Sequence, residues 1–312
     1  MKSFSRFIPG FAKFHDKDMS LHEEKLKLLE ETANKIRTSI IESLIAAGSG
    51  HTAGPLGMAD IFTSLYFYIL KHDPKNPLWQ ERDYLTLSNG HICPVQYAAL
   101  AHAGYFPIEE LKTLRKFGTH LQGHPHRGSL PGIETTSGPL GSGLSQAVGI
   151  AIGLKMDSKK NQVYCLMSDA EQDAGNTWEA AMLAGKLKLD NITGIIDRNN
   201  IQIDGMTEDI MPLESLRAKY EAFNWHVLDV NGHDFHEIVN ACEEARAIYE
   251  KPVCIIAHTI PGKGIPEIEF DYRWHGIPPG KGPTDVWSAT EQGKKMLDEL
   301  RTLGGKIKSE HQ

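Results

Sequence analysis

Asp169 and Asn199 stand thirty residues apart, each just beyond a short apolar run. The first run is Val163-Tyr164-Cys165-Leu166-Met167, closing in Ser168-Asp169-Ala170. The second is Ile192-Thr193-Gly194-Ile195-Ile196, closing in Asp197-Arg198-Asn199-Asn200. Between them Asn176-Thr177-Trp178-Glu179 has the form of a capping box. Ala180-Ala181-Met182-Leu183-Ala184 then continues as a good helix former. The spacing predicts strand–helix–strand, with two buried parallel strands that each end in an oxygen ligand. In open α/β sheets, ligands sit at the carboxyl ends of strands. A carboxylate and a carboxamide facing each other there, beside a helix N-terminus, suit Mg2+ or Ca2+ holding a diphosphate. Asp and Asn are also ordinary turn residues at strand ends, so the pair alone leaves both readings open.

Several histidines stand in glycine-rich surroundings. They are His51 in Ser49-Gly50-His51-Thr52-Ala53-Gly54, His91 in Leu87-Ser88-Asn89-Gly90-His91, His124 in Gly123-His124-Pro125, and His275. Imidazole donates, accepts and shuttles protons near neutral pH. Any one of them, taken alone, reads more simply as a surface residue or a satisfied core residue. His258, before Thr259-Ile260-Pro261-Gly262-Lys263-Gly264, is a weaker candidate, and His124-Pro125-His126 lacks further ligands at zinc spacing. Gly138-Pro139-Leu140-Gly141-Ser142-Gly143 has the form of a turn entering a helix, a pattern shared by many loops.

The elements that must position these residues alternate. Leu21 to Ala47 carries Leu26, Leu29, Ala33, Ile36, Ile40 and Leu44 at helical spacing, with Gly48 and Gly50 to end it. Residues 60–70 form a largely buried helix, 83–87 a strand, and 143–155 a helix of small residues. After the Asp169–Asn199 unit come strands at 225–230 and 252–257, joined by a helix over 236–250. The alternation predicts an α/β fold, a mainly parallel sheet with helices on both faces. We divide the chain into an N-terminal arm (1–20), one α/β domain (21–283) and a helical tail (284–312).

The 312 residues are 40% hydrophobic and 23% charged with a formal net charge of −7, a globular profile with ample material for a core. The acidic balance argues against nucleic acid as a partner, and no apolar run approaches a membrane span. Cys93, Cys165, Cys242 and Cys254 show no paired spacing and read as reduced core residues of a cytoplasmic protein. In the arm, Lys2, Arg6 and Lys13 accompany five apolar residues, but Pro9-Gly10 breaks any single amphipathic helix, which favours an arm packed on the body or a neighbour over a targeting peptide.

Taken together, the ordered motifs resemble the transketolase family of thiamine-diphosphate enzymes. The carriers are Ser49 to Ala59, Leu87 to His91, Gly123-His124-Pro125, Pro131-Gly132-Ile133-Glu134, Gly138 to Gly143, and the Asp169 and Asn199 segments through Ile201-Gln202-Ile203-Asp204-Gly205. The similarity runs from about Glu30 to about Pro283. It implies the thiamine-diphosphate-binding fold, with the divalent cation held by Asp169, Asn199 and the main-chain oxygen of Ile201. It implies that backbone at Gly138 and Leu140 meets the aminopyrimidine, and that Asp169, Ala170 and Asn199 lie at the diphosphate. His91 and His275 would face the diphosphate and the reacting carbon; His51 and His124 would contact substrate hydroxyls and move protons. The reaction implied is transfer of a two-carbon ketol unit from a ketose phosphate to an aldose phosphate.

Three departures from the family pattern stand out. Gly-Asp-Gly is Ser168-Asp169-Ala170, which would strain the turn if Ala170 takes a positive φ. A family glutamate of an acidic relay falls on Ala174, with Asp173 next to it and Glu179 retained. The resemblance covers only the diphosphate-binding half. It therefore implies a separate C-terminal subunit carrying the pyrimidine-binding domain, in an α2β2 assembly. The alternatives are a subunit of another thiamine-diphosphate enzyme and a non-catalytic partner subunit.

Overall fold

A computed structural model describes residues 21–283 and 288–302 of the chain. The first twenty residues lie outside that range. In chain order the helices and strands are α1 (Glu23–Ala47), α2 (Ala53–Gly57), α3 (Ala59–Ser64), β1 (Tyr84–Leu87), α4 (Cys93–His102), α5 (Ser142–Met156), β2 (Val163–Ser168), α6 (Gly175–Lys186) and β3 (Ile192–Arg198). There follow β4 (Ile201–Gln202), β5 (Gly205–Met206), α7 (Thr207–Ile210), α8 (Leu216–Ala222), β6 (His226–Asn231), α9 (Phe235–Ala247), β7 (Val253–His258) and α10 (Ala289–Thr302).

Five strands pair in the order β1-β2-β3-β7-β6, every pair parallel. β2 and β3 are buried along their whole lengths because helices cover both faces. The pleat sends alternate residues to two cores. Tyr164 and Leu166 join the core built with α1, α3, α4 and α9. Val163, Cys165 and Met167 join the core built with α5, α6 and α8. At the edge, β6 is only partly covered, with Val227 and Val230 buried and Asp229 and Asn231 exposed.

α1 forms as its periodicity predicts: Leu29, Ile36, Ile40 and Leu44 are fully buried, and Gly48 closes the helix at φ +62° with its N–H on Leu44 O. The helix expected over 60–70 is α3 followed by a wider turn, Leu65–Ile69, in which Leu70 N reaches Leu65 O at 2.8 Å.

The capping box does not form. α6 starts at Gly175 on an Ala174 cap with no side-chain bond. Asn176 lies within the first turn, and its Oδ1 occupies the place where a Cβ on Gly141 would fall, 2.2 Å away. Its carboxamide packs on the glycine-rich turn instead of closing the helix. In the expected tail, α10 packs along α1, with Met296 and Leu300 buried and Gly293 against Ile45.

Candidate functional site

The carboxyl ends of β1, β2, β3 and β7 lie side by side. Ser88 N bonds to Leu166 O (2.8 Å), Asp169 N to Asp197 O (3.1 Å) and Thr259 N to Arg198 O (3.3 Å), so the strand pairing extends into the loops. Beyond these ends is a cavity of about 300 Å³, at the small end of the range for ligand pockets. His51, His91, His124, Gly138, Leu140, Ser168, Ala170, Asn199, Ile201 and His275 all line it.

Three imidazoles form one cluster. Ring centroids are 4.7 Å apart for His51 and His91, 5.2 Å for His91 and His275, and 5.4 Å for His51 and His275. Burial lowers His51 to about 3, aided by His275, Arg115 and His124, and it lowers His275 to about 4. His91 falls well below its ordinary value through burial, then through His51, His275 and His124. His124, exposed at the cavity mouth, is lowered by partial burial and by Arg115. The cluster is therefore neutral at pH 7, and each ring can donate at one nitrogen and accept at the other. Among the described residues, His51 Nδ1 and His275 Nδ1 are buried without a hydrogen-bond partner, as are both polar atoms of the Asn89 side chain. A polar ligand in the cavity would satisfy the two ring nitrogens.

Gly138 (φ +146°) and Gly141 (φ +82°) hold the turn before α5 in a conformation that L side chains rarely adopt. Ala170 is different. It does not take a positive φ, but opens a 3₁₀ turn over Ala170–Asp173 capped by Asp169, whose carboxylate accepts from Ala170 N at 2.7 Å. The strain considered for alanine there is absent.

Asp169 is fully buried. Its Oδ2 accepts from Asn200 N (2.8 Å) and from Arg198 (3.0 Å), whose guanidinium also pairs with Glu208 (2.6 Å) and Glu214 (3.0 Å). Burial pushes the Asp169 carboxyl up, opposed by Arg198 and by the Asn200 and Ala170 amides. Asn199 donates to Asp197 Oδ2 (2.7 Å), which turns its Oδ1 toward Ile201 N (3.0 Å). Asp197 is itself buried and pushed up to about 7 by that burial, while Thr259 donates to its other oxygen.

The ligands expected for a cation are one carboxylate oxygen (Asp169), one carboxamide oxygen (Asn199) and one main-chain carbonyl (Ile201), all hard ligands of the kind that suit Mg2+ or Ca2+. Among the described residues no three His, Cys, Asp or Glu side chains are arranged to hold a metal ion. A cation would therefore rely on this mixed set and on the ligand's own oxygens. The oxygen chemistry of this set suits a metal-bound diphosphate; Asn199 and Ile201 line the cavity, whereas Asp169 is fully buried beside it with both oxygens bonded to Ala170 N, Asn200 N and Arg198.

His258 is not part of the site. It is more than half exposed and pairs with Asp229 at 3.2 Å. Asp173 is exposed, with Lys219 and Glu208 the charges that act on it. Sequence reasoning missed Glu171, whose buried carboxylate accepts from Gly141 N, Ser168 N and Ser88 Oγ. It also missed the support from α1 and α3. There Arg37 makes a bidentate pair with Asp60, Asp60 accepts from His233 Nδ1 (2.7 Å), and His233 Nε2 accepts from Ile260 N (2.7 Å). An acid beside the Asp169 turn was the only signal for Glu171; nothing local marks the second network.

A family profile described as "Transketolase, thiamine diphosphate binding domain" matches residues 29–291. The chain is 44% identical over 261 residues to a 6-deoxy-6-sulfo-D-fructose transketolase subunit of a Clostridium species, covering 84% of this chain and 94% of that one. It is 40% identical to an apulose-4-phosphate transketolase subunit of Phocaeicola vulgatus, covering 81% of this chain and 90% of that one. Transketolase 1 of Escherichia coli is also 40% identical, but the match spans only 40% of its length. Among solved structures, transketolase from Campylobacter jejuni superposes with a TM-score of 0.77 at 35% identity, over 89% of this chain and 47% of that one.

Proposed function

The chain belongs to the transketolase family, and from that premise we propose that it holds thiamine diphosphate and a divalent cation at the ends of β1, β2 and β3. With a second polypeptide it transfers a two-carbon ketol unit from a ketose phosphate to an aldose phosphate. The observation that carries this reading is the meeting of all four histidines with Gly138, Leu140, Ser168, Ala170, Asn199 and Ile201 around one cavity. Two relatives matched over at least 90% of their length are named as transketolase subunits, which supports the second polypeptide.

When bound, the cofactor supplies the electron sink for breaking a carbon–carbon bond beside a ketose carbonyl. This chain's residues bind, orient and move protons. Asp169, Asn199 and the Ile201 carbonyl hold Mg2+ or Ca2+ on the diphosphate. Backbone at Gly138 and Leu140 meets the aminopyrimidine. His91 and His275 face the diphosphate and the reacting carbon. His51 and His124 take the substrate hydroxyls, and His124 at the mouth meets them first. Being neutral at pH 7, His51 has a ring nitrogen that can accept a hydrogen bond from a substrate hydroxyl. The partner subunit brings the pyrimidine-binding domain, in an α2β2 assembly. Four buried cysteines without disulfides support a reducing compartment, which we take to be the cytoplasm.

A non-catalytic partner subunit is the second reading, and Ala174 at the relay position favours it. Calorimetry of thiamine diphosphate with Mg2+, with and without the partner, separates the two. Binding that is lost in Asp169→Ala supports the catalytic reading. Unchanged affinity in that variant would remove Asp169 from the metal site, and no binding by the parent assembly would favour the non-catalytic reading.

A further inference from the structure

Glu171 touches none of the space the cofactor would fill, yet three segments of the site hang on its carboxylate. It lies two residues past Asp169, in the 3₁₀ turn that Asp169 caps, and is 1% exposed. Oε1 accepts from Gly141 N at 2.6 Å and from the Ser88 hydroxyl; Oε2 accepts from Ser168 N at 3.0 Å. Having donated its proton to Glu171, Ser88 Oγ accepts from Gly143 N at 3.0 Å. The fit is close: a Cβ on Gly143 would lie 2.3 Å from Ser88 Cβ. Ser88 follows β1, Gly141 caps α5 and Gly143 lies in its first turn, and Ser168 ends β2. These segments are far apart in sequence, and one buried anion joins them.

We infer that Glu171 is a positioning residue, which locks the Gly138–Gly143 turn to the ends of β1 and β2. The turn at the aminopyrimidine end of the cavity and the turn at the diphosphate end are thereby held at one separation. The naming of the cavity's two ends rests on the function proposed above; the lock itself does not. A buried carboxylate is costly to retain, and its donors here are a hydroxyl and two backbone amides. An apolar side chain would leave all three donors unpaired. A rigid separation matters because a ligand spanning both turns then binds without first ordering them.

The test is Glu171→Gln in the full chain within its assembly. Glutamine keeps the size but presents an N–H2 where one backbone N–H now donates. Hydrogen exchange at the Gly141 and Ser168 amides should quicken in the variant. Affinity for thiamine diphosphate with Mg2+ should fall about tenfold, the equivalent of one charge-assisted hydrogen bond. Affinity for inorganic diphosphate with Mg2+, which reaches only the Ser168 end, should fall less. A purely structural role would lower the melting temperature and leave the affinity of the folded protein unchanged, and that result overturns the proposal. Equal losses for the two ligands, or unaltered exchange at Gly141, overturn it as well. If Glu171→Gln does not fold, Ser88→Ala removes one donor and the acceptor for Gly143; it should show the same pattern at smaller size, and its absence counts against the lock. Should the parent assembly bind no thiamine diphosphate, the functional reading fails, and the exchange measurement still decides the role of Glu171.

Discussion

Neutral imidazoles packed against one another set the acid limit of this site. His51 and His275 are lowered from 6.5 to about 3 and about 4. In the unfolded chain they protonate near 6.5, so below that pH the unfolded state binds more protons. Their contribution to stability is present above about pH 6.5 and is lost as pH falls toward the folded values. Urea midpoints should fall from about pH 7 to about pH 5, and fall less steeply in His51→Gln, His275→Gln. Equal slopes would show that these rings do not carry the effect. Ser168 and Ala170 lead to a second expectation. Because Ala170 takes no positive φ, glycine relieves nothing there. Ser168→Gly, Ala170→Gly should lower stability by about 0.5–1 kcal/mol for each glycine and leave thiamine-diphosphate affinity no tighter than in the parent. Tighter binding by calorimetry would contradict this.

The elements around the site are tied by few but deep contacts. Arg37 on α1, Asp60 on α3 and His233 after β6 form a buried chain ending on Ile260 N, in the loop that follows β7. Against burial, the Arg37 charge, with hydrogen bonds from His233 and Arg37, holds the Asp60 carboxyl well below the usual carboxylate range. Arg37→Met would leave that carboxylate without its main partner, at a cost of about 3–5 kcal/mol. Urea unfolding measures the loss, and one below about 1 kcal/mol would mean that the pair is not a tie between these elements. The same loop bonds back to α2 through Gly262 N and Ala53 O at 2.8 Å, so His51, just before α2, should lose its place along with the loop.

At the scale of the molecule, the cavity lies at the carboxyl ends of the strands of a sheet whose faces are both covered. In the function proposed above, a second polypeptide completes the cofactor site, as the naming of two relatives as transketolase subunits supports. We therefore expect the purified chain alone to show no ketol transfer from a ketose phosphate, and activity to appear once the partner subunit is added. Coupled detection of the aldose released would measure it. Robust turnover by the chain alone would sink the two-subunit reading. Among the described residues, no helix is long and apolar enough to cross a membrane.

The parallel sheet was legible in the chain itself, because a strand buried on both faces must be a continuous apolar run, as Val163 to Met167 is. The strand ends were legible too, so Asp169 and Asn199 could be named along with the glycine-framed histidines. What local pattern could not carry was direction and distance. Asn176 has the spacing of a cap, but only packing turns its carboxamide onto Gly141. Ala170 differs from the family glycine in type, yet its φ depends on the 3₁₀ turn that Asp169 caps. Glu171 looks like any acid in a polar loop until the fold brings Ser88 and Gly141 to it from 83 and 30 residues away. The lowered histidines have the same origin: burial and neighbouring charge shift a proton equilibrium, and both arise only when distant segments meet.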